Sequence, residues 1–419
     1  MRLKIKMNDR GFAHTFLLLF VIVAIGIIGA WYVVSSKADT VNFTLLGTHP
    51  QAAAQSTDTG KRIISLGNYN GKIYAGYGDY TSNTGPIALT PFDPATNSFA
   101  STPELVQNTQ MIGEFRTINN KLYSPSTDIR TSNFAVADLT SGASAWKEYS
   151  WRDSTQKVPF MIHVFDVNTT NGTDLWMAGS SNQDGTVFRS TDGGATWAEM
   201  QRKVGDSSKF FRYYGVVTLG GKAYVQSLNV DNNTNVVLAS DTSSQMWSNG
   251  TWGKGPSLLS QGGYVTWHPS EFAGKAVYFT WASVDSLGSE CLKVFNGSSV
   301  STSCPGGGGL TDYAIDGDTL YGVNYGQVYS TKDLKTWYQQ GTAPSTAVSI
   351  TVMNGKIYVG TTDSKLYSAP VATNPSPAGT TTSTGGGSCT GKKCGGGTGT
   401  GGGGVCHGKK CQTATGATQ

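Results

Sequence analysis

Six side chains able to carry charge or move a proton stand just ahead of, or open, short apolar runs spread along the chain: Arg62, Arg116, His163, Arg212, His268 and Asp312. A second set, Asp79, Arg130, Asp184 and Asp285, follows a later run in the same stretches. Arginine offers a planar, permanently charged fork that matches a carboxylate, and convergent Arg, His and Asp could hold an anionic sugar or a peptide. If the stretches are modules around one axis, both sets gather on one face, termed here the top face. The wet axis of any ring of repeats also collects polar side chains without a ligand, and the sequence leaves both readings open. The body holds only His49, His163 and His268, none at metal-ligand spacing, so neither a metal nor a cofactor is expected.

The elements that must position these residues are legible as repeats. A Gly, Asn or Asp turn followed by an apolar–aromatic pair recurs seven times, ending at Tyr74, Tyr123, Trp176, Tyr224, Tyr278, Tyr321 and Tyr358. These aromatics lie 49, 53, 48, 54, 43 and 37 residues apart, about 47 on average, the size of a four-stranded blade. Seven copies predict an all-β, seven-bladed β-propeller over residues 41–371. The apolar run ahead of each turn becomes the innermost strand, and the aromatic falls on the second strand, in the core between blades. The last copy ends early, at Lys365-Leu366-Tyr367-Ser368, so Val41–Gly47 is expected to supply the last blade's outer strand and close the ring. Composition agrees: 54 glycines and 14% charge suit short strands joined by many turns.

One eight-residue motif is sharp. Ser190-Thr191-Asp192-Gly193-Gly194-Ala195-Thr196-Trp197 matches the Asp-box, Ser-x-Asp-x-Gly-x-x-Trp. Its carboxylate can accept backbone N–H groups while glycine takes positive φ, and the tryptophan folds back against a blade. Ser330 to Trp337 is a degraded copy with its acid at Asp333, and Ser240 to Trp247 keeps only the spacing. Here the chain resembles the sialidase-like, BNR-repeat propeller superfamily. The resemblance implies that the box is a structural turn on the face opposite the active site. Sialidases of that family bind the substrate carboxylate with three arginines and carry an early Phe-Arg-Ile-Pro. The nearest string here is Phe115-Arg116-Thr117-Ile118, without the proline.

The chain ends set the expected compartment. Residues 1–11 form a basic leader, and the uncharged run from Thr15 to Val34, within 12–34, is long enough for one membrane-spanning helix. The positive-inside bias then places the body outside the cell; a cleaved signal peptide is the competing reading. Gly11-Phe12 before the apolar run also resembles the start of type IV pilin-like proteins, with Phe16 where that family has a glutamate. The first 39 residues hold five basic and two acidic groups, and the last 48 hold four lysines and no acid. That leaves 22 basic and 25 acidic residues between them, a balance that argues against nucleic-acid binding. Cys291 and Cys304 flank a turn sequence, Asn296-Gly297-Ser298-Ser299, and are expected to form a cross-strand disulfide. In the Gly/Thr-rich tail, 372–419, Cys389 and Cys394 pair with a near-copy, Cys406 and Cys411. Two disulfide loops, a four-cysteine metal site and intermolecular attachment all remain open for them. The expected function is a surface module binding a glycan or protein on its top face. A sialidase-like glycoside hydrolase and a pilus-associated component are the alternatives.

Overall fold

The computed structural model describes residues 40–378, apart from 130, 139–145, 152–157, 232–236, 260–265, 281–287 and 307. The expected membrane span at 12–34, Arg130, Asp285 and the four tail cysteines lie outside the described residues. Among those described, no helix is long and apolar enough to cross a membrane.

Seven four-stranded antiparallel blades follow one another. Their innermost strands are Ser65–Tyr69, Arg116–Ile118, His163–Thr169, Val217–Leu219, Trp267–Phe272, Asp312–Asp316 and Ala347–Met353, for blades 1 to 7 in order. Tight turns lead into the second strands; in blade 1 Asn70 (φ 49°) and Gly71 (φ 73°) adopt the left-handed pair that fits a twisted two-residue hairpin. The seven repeat aromatics all lie on second strands and are at most 7% exposed. They pack between blades: Tyr74 meets Leu122 across blades 1 and 2, Trp176 meets Val216 and Ala223 across blades 3 and 4, and Tyr358 meets Ile73 and Phe92 across blades 7 and 1. Burial of large rings at every boundary is what the recurring pair in the sequence encodes.

Ring closure follows the expected route. Thr44–Thr48 is the outer strand of blade 7, pairing Thr44 with Ser368 and Thr48 with Lys365. Two additions were not foreseen. Val41–Asn42 runs parallel to Gly341–Thr342 of blade 6, and Ser376–Ala378 pairs antiparallel with Trp337–Gln339 of the same outer strand. Both segments are two or three residues long and carry no alternating pattern, so nothing in their letters announces a strand.

The Asp-box forms the turn before the outer strand Ala198–Lys203 of blade 3. Asp192 accepts from Thr196 N at 2.9 Å, and Trp197 Nε1 donates to Gly194 O at 3.1 Å. Gly193 and Gly194 take φ of 71° and 95°. The degraded copy makes the same turn in blade 6, where Asp333 accepts from Lys335 N and Thr336 N at 2.8 and 2.7 Å. The Ser240–Trp247 spacing does not: Trp247 lies on the third strand of blade 4, Gln245–Ser248, and packs on Trp176. Cys291 and Cys304 are bonded at the open end of the blade 5 hairpin, with Phe295 opposite Val300.

The two ends of the ring are unequal. Segments entering the innermost strands pair with segments leaving the second strands in small accessory sheets: Ile87–Leu89 with Leu105–Gln107, Thr109–Met111 with Thr127–Ile129, and Lys209–Arg212 with Leu228–Asp231. All of them sit at the top face.

Candidate functional site

Strand periodicity sends alternate residues of each innermost strand toward the axis, and in this chain many of those letters are polar. They enclose a central chamber of about 600 Å³ with walls from all seven blades. The lining at the start of the innermost strands is buried, as at Ser65, Glu114 and Asp312, whereas Thr117, in the middle of its three-residue strand, and Asn171, Glu271 and Asp316, near or beyond the ends of theirs, are exposed. The exposed mouth therefore lies on the face of the first-to-second-strand turns, opposite the top face that the sequence singles out. The accessory sheets explain the difference, since their segments fill the top end.

The closed end is a network of buried charge. Arg116 Nε contacts Glu114 Oε1 and lies 3.0 Å from Asp166 Oδ1, while Nη1 donates to Ser270 Oγ at 3.1 Å. Asp166 also accepts from Val216 N at 2.8 Å, and Asp312 accepts from Ile350 N at 2.9 Å. His268, held at φ 52°, has Nδ1 3.7 Å from Asp312 Oδ1. Tyr313 Oη donates to Val277 O at 3.0 Å and to His268 O. These bonds tie blades 2 to 3 and 5, 3 to 4, 5 to 6, and 6 to 7, so they staple the ring as well as line the chamber. Desolvation by burial raises the Asp312 carboxyl to about 8 and lowers the His268 imidazole to about 3, leaving both neutral at neutral pH. Burial also raises the Glu114 carboxyl, opposed by Arg116. Among the described residues, both Glu114 carboxyl oxygens and Arg116 Nη2 have no hydrogen-bond partner. No group of three or more His, Cys, Asp or Glu among the described residues is arranged to hold a metal ion.

No family model matches the chain, and no curated protein does. Among solved structures, virginiamycin B lyase from Staphylococcus aureus aligns with a TM-score of 0.51 and 8% identity, over 79% of this chain and 99% of that one. The extracellular domain of a hybrid two-component system from B. thetaiotaomicron aligns with a TM-score of 0.44 and 13% identity, over 73% of this chain and 38% of that one. The likeness is one of fold. It is the seven-bladed β-propeller, and it carries no substrate with it.

Of the sequence candidates, Arg116, His268 and Asp312 meet in the chamber. His163 and Arg212 meet elsewhere, at the top end: His163 accepts from Asp128 N at 3.2 Å and stacks on Phe165, while Arg212 lies over the Phe210 ring and donates to Asn182 O at 3.2 Å. Burial, helped by Arg212, lowers His163 well below its ordinary value. Asp79 anchors a turn, accepting from Thr57 Oγ1 and Ser82 N. Asp184 pairs with Arg202 on a hairpin of blade 3. Arg62 does not line the chamber, and among the described residues Arg116 is its only arginine. Among the described residues, a triad of arginines for a sialic-acid carboxylate is thus not assembled there. Glu114, Asp166 and Tyr313 were missed, although a signal existed: an acid inside an apolar innermost strand, as in Val164-Phe165-Asp166-Val167, has little other reason to be there.

Proposed function

We propose that the chain is a membrane-anchored, outward-facing binding module that receives a glycan or a protein segment in its central chamber. One observation carries this reading: a cavity of about 600 Å³, walled by polar groups from every blade, ends in an exposed mouth. A rigid ring of seven interlocked blades presents such a site without ordering cost on binding. The anchor rests on the uncharged run Thr15–Val34 and the basic residues ahead of it. Intact cells expressing the full chain should be labelled on the body by a membrane-impermeant amine reagent. The purified chain should lose ligand binding when Thr117 at the mouth is replaced by tryptophan. Binding undiminished in Thr117→Trp would remove the chamber from the account, and protection of the body on intact cells would remove the orientation.

A glycoside hydrolase is the second reading, favoured by Asp312. A carboxyl that keeps its proton to about pH 8 beside a second acid, Glu114, has the makings of a general acid. Turnover of a fluorogenic glycoside that disappears in Asp312→Asn would support it, and no turnover by the full chain would end it.

A further inference from the structure

We infer that the chain carries a second binding site outside the chamber, a side pocket between blades 2 and 3 that takes one acidic sugar unit, a hexuronate. The pocket encloses about 140 Å³. At roughly 10–15 Å³ per water that is room for about ten waters, or for a single ring with its substituents. Cross-strand register builds one wall. Lys121 stands opposite Asp138, Tyr123 opposite Val136, Val136 opposite Lys147, and Phe134 opposite Tyr149. Alternate residues of three neighbouring strands therefore share the face of blade 2 that looks toward blade 3. The inner part of that face is filled, because Tyr123, Phe134 and Val136 pack with Leu175 and Met177 of blade 3. Farther out, blade 3 presents the Asp-box glycines Gly193 and Gly194, whose missing side chains leave the gap open; a Cβ at Gly193 would meet nothing within 4 Å.

Most of the polar groups in this pocket are donors. Lys147 is exposed and, among the described residues, has no carboxylate partner; its ammonium lies 5.0 Å from the centre of the Tyr149 ring. The Lys121 side chain is 32% exposed and sits 2.8 Å from Asp138, itself 21% exposed, so a ligand reaches both. Burial raises the Tyr149 hydroxyl, opposed by Lys121 and reinforced by Asp138, and raises the Tyr123 hydroxyl, reinforced by Tyr149 and Asp138. The two phenols thus stand beside the Lys121–Asp138 pair and keep protons that they can donate. Neighbouring acids are engaged elsewhere. Glu148 lies on the opposite face of its strand and accepts from Asn108 N at 2.6 Å, and Asp192 accepts from Ser190 Oγ and Thr196 N inside its own turn. Two ammonium groups against one carboxylate leave the pocket net positive, which favours an oxyanion. Phe134 is stacked on Tyr149 at 4.7 Å and the Lys147 ammonium lies over the same ring, which leaves little aromatic surface for an aryl acid. A hexuronate suits the whole set: its carboxylate accepts from the lysines and phenols, and a ring hydroxyl donates to Asp138.

The test is ligand-observed saturation-transfer NMR on the full-length chain in detergent. Methyl β-glucuronide is the probe, methyl β-glucoside lacks its charge, and benzoate lacks its hydroxyls. The glucuronide should bind more tightly than either control. Lys147→Glu reverses one exposed charge and should weaken glucuronide binding at least about tenfold, and Tyr149→Phe, which removes one donor, roughly fivefold; both variants should keep the parent melting temperature. Thr117→Trp, at the chamber mouth, should leave glucuronide binding unchanged. Absence of glucuronide binding, binding of the glucoside or benzoate as tight as that of the glucuronide, or full affinity in a folded Lys147→Glu would overturn the inference. Glucuronide binding that disappears in Thr117→Trp would overturn it too, by placing the ligand in the chamber. The ranking of the three probes and the Thr117→Trp result decide even where a pocket variant does not fold. The site is independent of the chamber, so failure here leaves the proposed function standing, and failure of the chamber leaves this site standing.

Discussion

Asp312 accepts the Ile350 N–H across the boundary of blades 6 and 7 while its other oxygen faces His268. Its carboxyl is raised to about 8 by burial, so between about pH 4 and 8 the folded chain holds a proton that the unfolded chain has released. Stability conferred by this site therefore falls as pH rises through that window and levels off above it. His268, lowered to about 3, acts in the opposite sense, costing stability as pH falls below its ordinary value near 6.5. Asp312→Asn removes the first effect and leaves the second. Chemical denaturation at pH 5 and pH 8 should show the variant gaining on the parent chain as pH rises, by up to about 1.4 kcal/mol per pH unit. A difference independent of pH would mean that Asp312 is ionised in the fold. At this scale the sequence was partly legible. Arg116, His268 and Asp312 stand at the starts of innermost strands, where position alone marks them. Asp166 is marked as unusual by its place inside an apolar strand, but its partner Arg116, and the role of Glu114, become visible only in the tertiary structure, because a carboxylate carries no local signature of what it pairs with.

The blade-to-blade tryptophans show how one motif makes two different attachments. Trp197 of blade 3 is partly buried and meets Phe134 of blade 2 edge-on at 5.9 Å. Trp337 of blade 6 is fully buried, and its Nε1 donates to Ser303 Oγ of blade 5 at 3.0 Å. In both cases the turn throws the ring back onto the preceding blade. The intact consensus belongs to the more exposed bolt, and the degraded copy to the buried one. Matching the consensus letter by letter would rank them in the wrong order for stability. Trp337→Ala should cost about 3–5 kcal/mol, the range for a large ring removed from a packed core, and more than Trp197→Ala. Urea titrations of the two variants would show this, and a larger loss from Trp197→Ala would contradict it. Elements as a class were legible wherever turn chemistry and an apolar–aromatic pair recur. The accessory sheets were not, because three-residue strands such as Ile87–Leu89 are defined by the partner they meet and not by their own pattern.

At the scale of the whole ring, closure joins residues about three hundred positions apart: Thr44–Thr48 lies beside Lys365–Ser368, and Asn68 Nδ2 donates to Thr351 Oγ1 and Val352 O, 283 and 284 positions away. The same boundary is sealed by Leu46, which packs against the cluster of Ile73, Phe92, Tyr358 and Leu366. His49, fully buried against the rings of Tyr77 and Phe99 of blade 1, continues the seam, and its backbone N–H donates to Ser364 O at 2.7 Å. Apart from Val41–Asn42 on the outer edge of blade 6, each blade otherwise pairs strands that are neighbours in sequence, so six boundaries form from local material and only the seventh waits for the ends to meet. Contacts that close the longest loop are the costliest in chain entropy and belong late in folding. Leu46→Ala should therefore destabilise the full chain by about 2 kcal/mol with the change almost wholly in the unfolding rate. That corresponds to unfolding about thirtyfold faster at an unchanged folding rate. Stopped-flow denaturant jumps read both limbs. A matching fall in the folding rate would show that the seam between blades 7 and 1 forms first, with the ring growing from its clasp and not toward it.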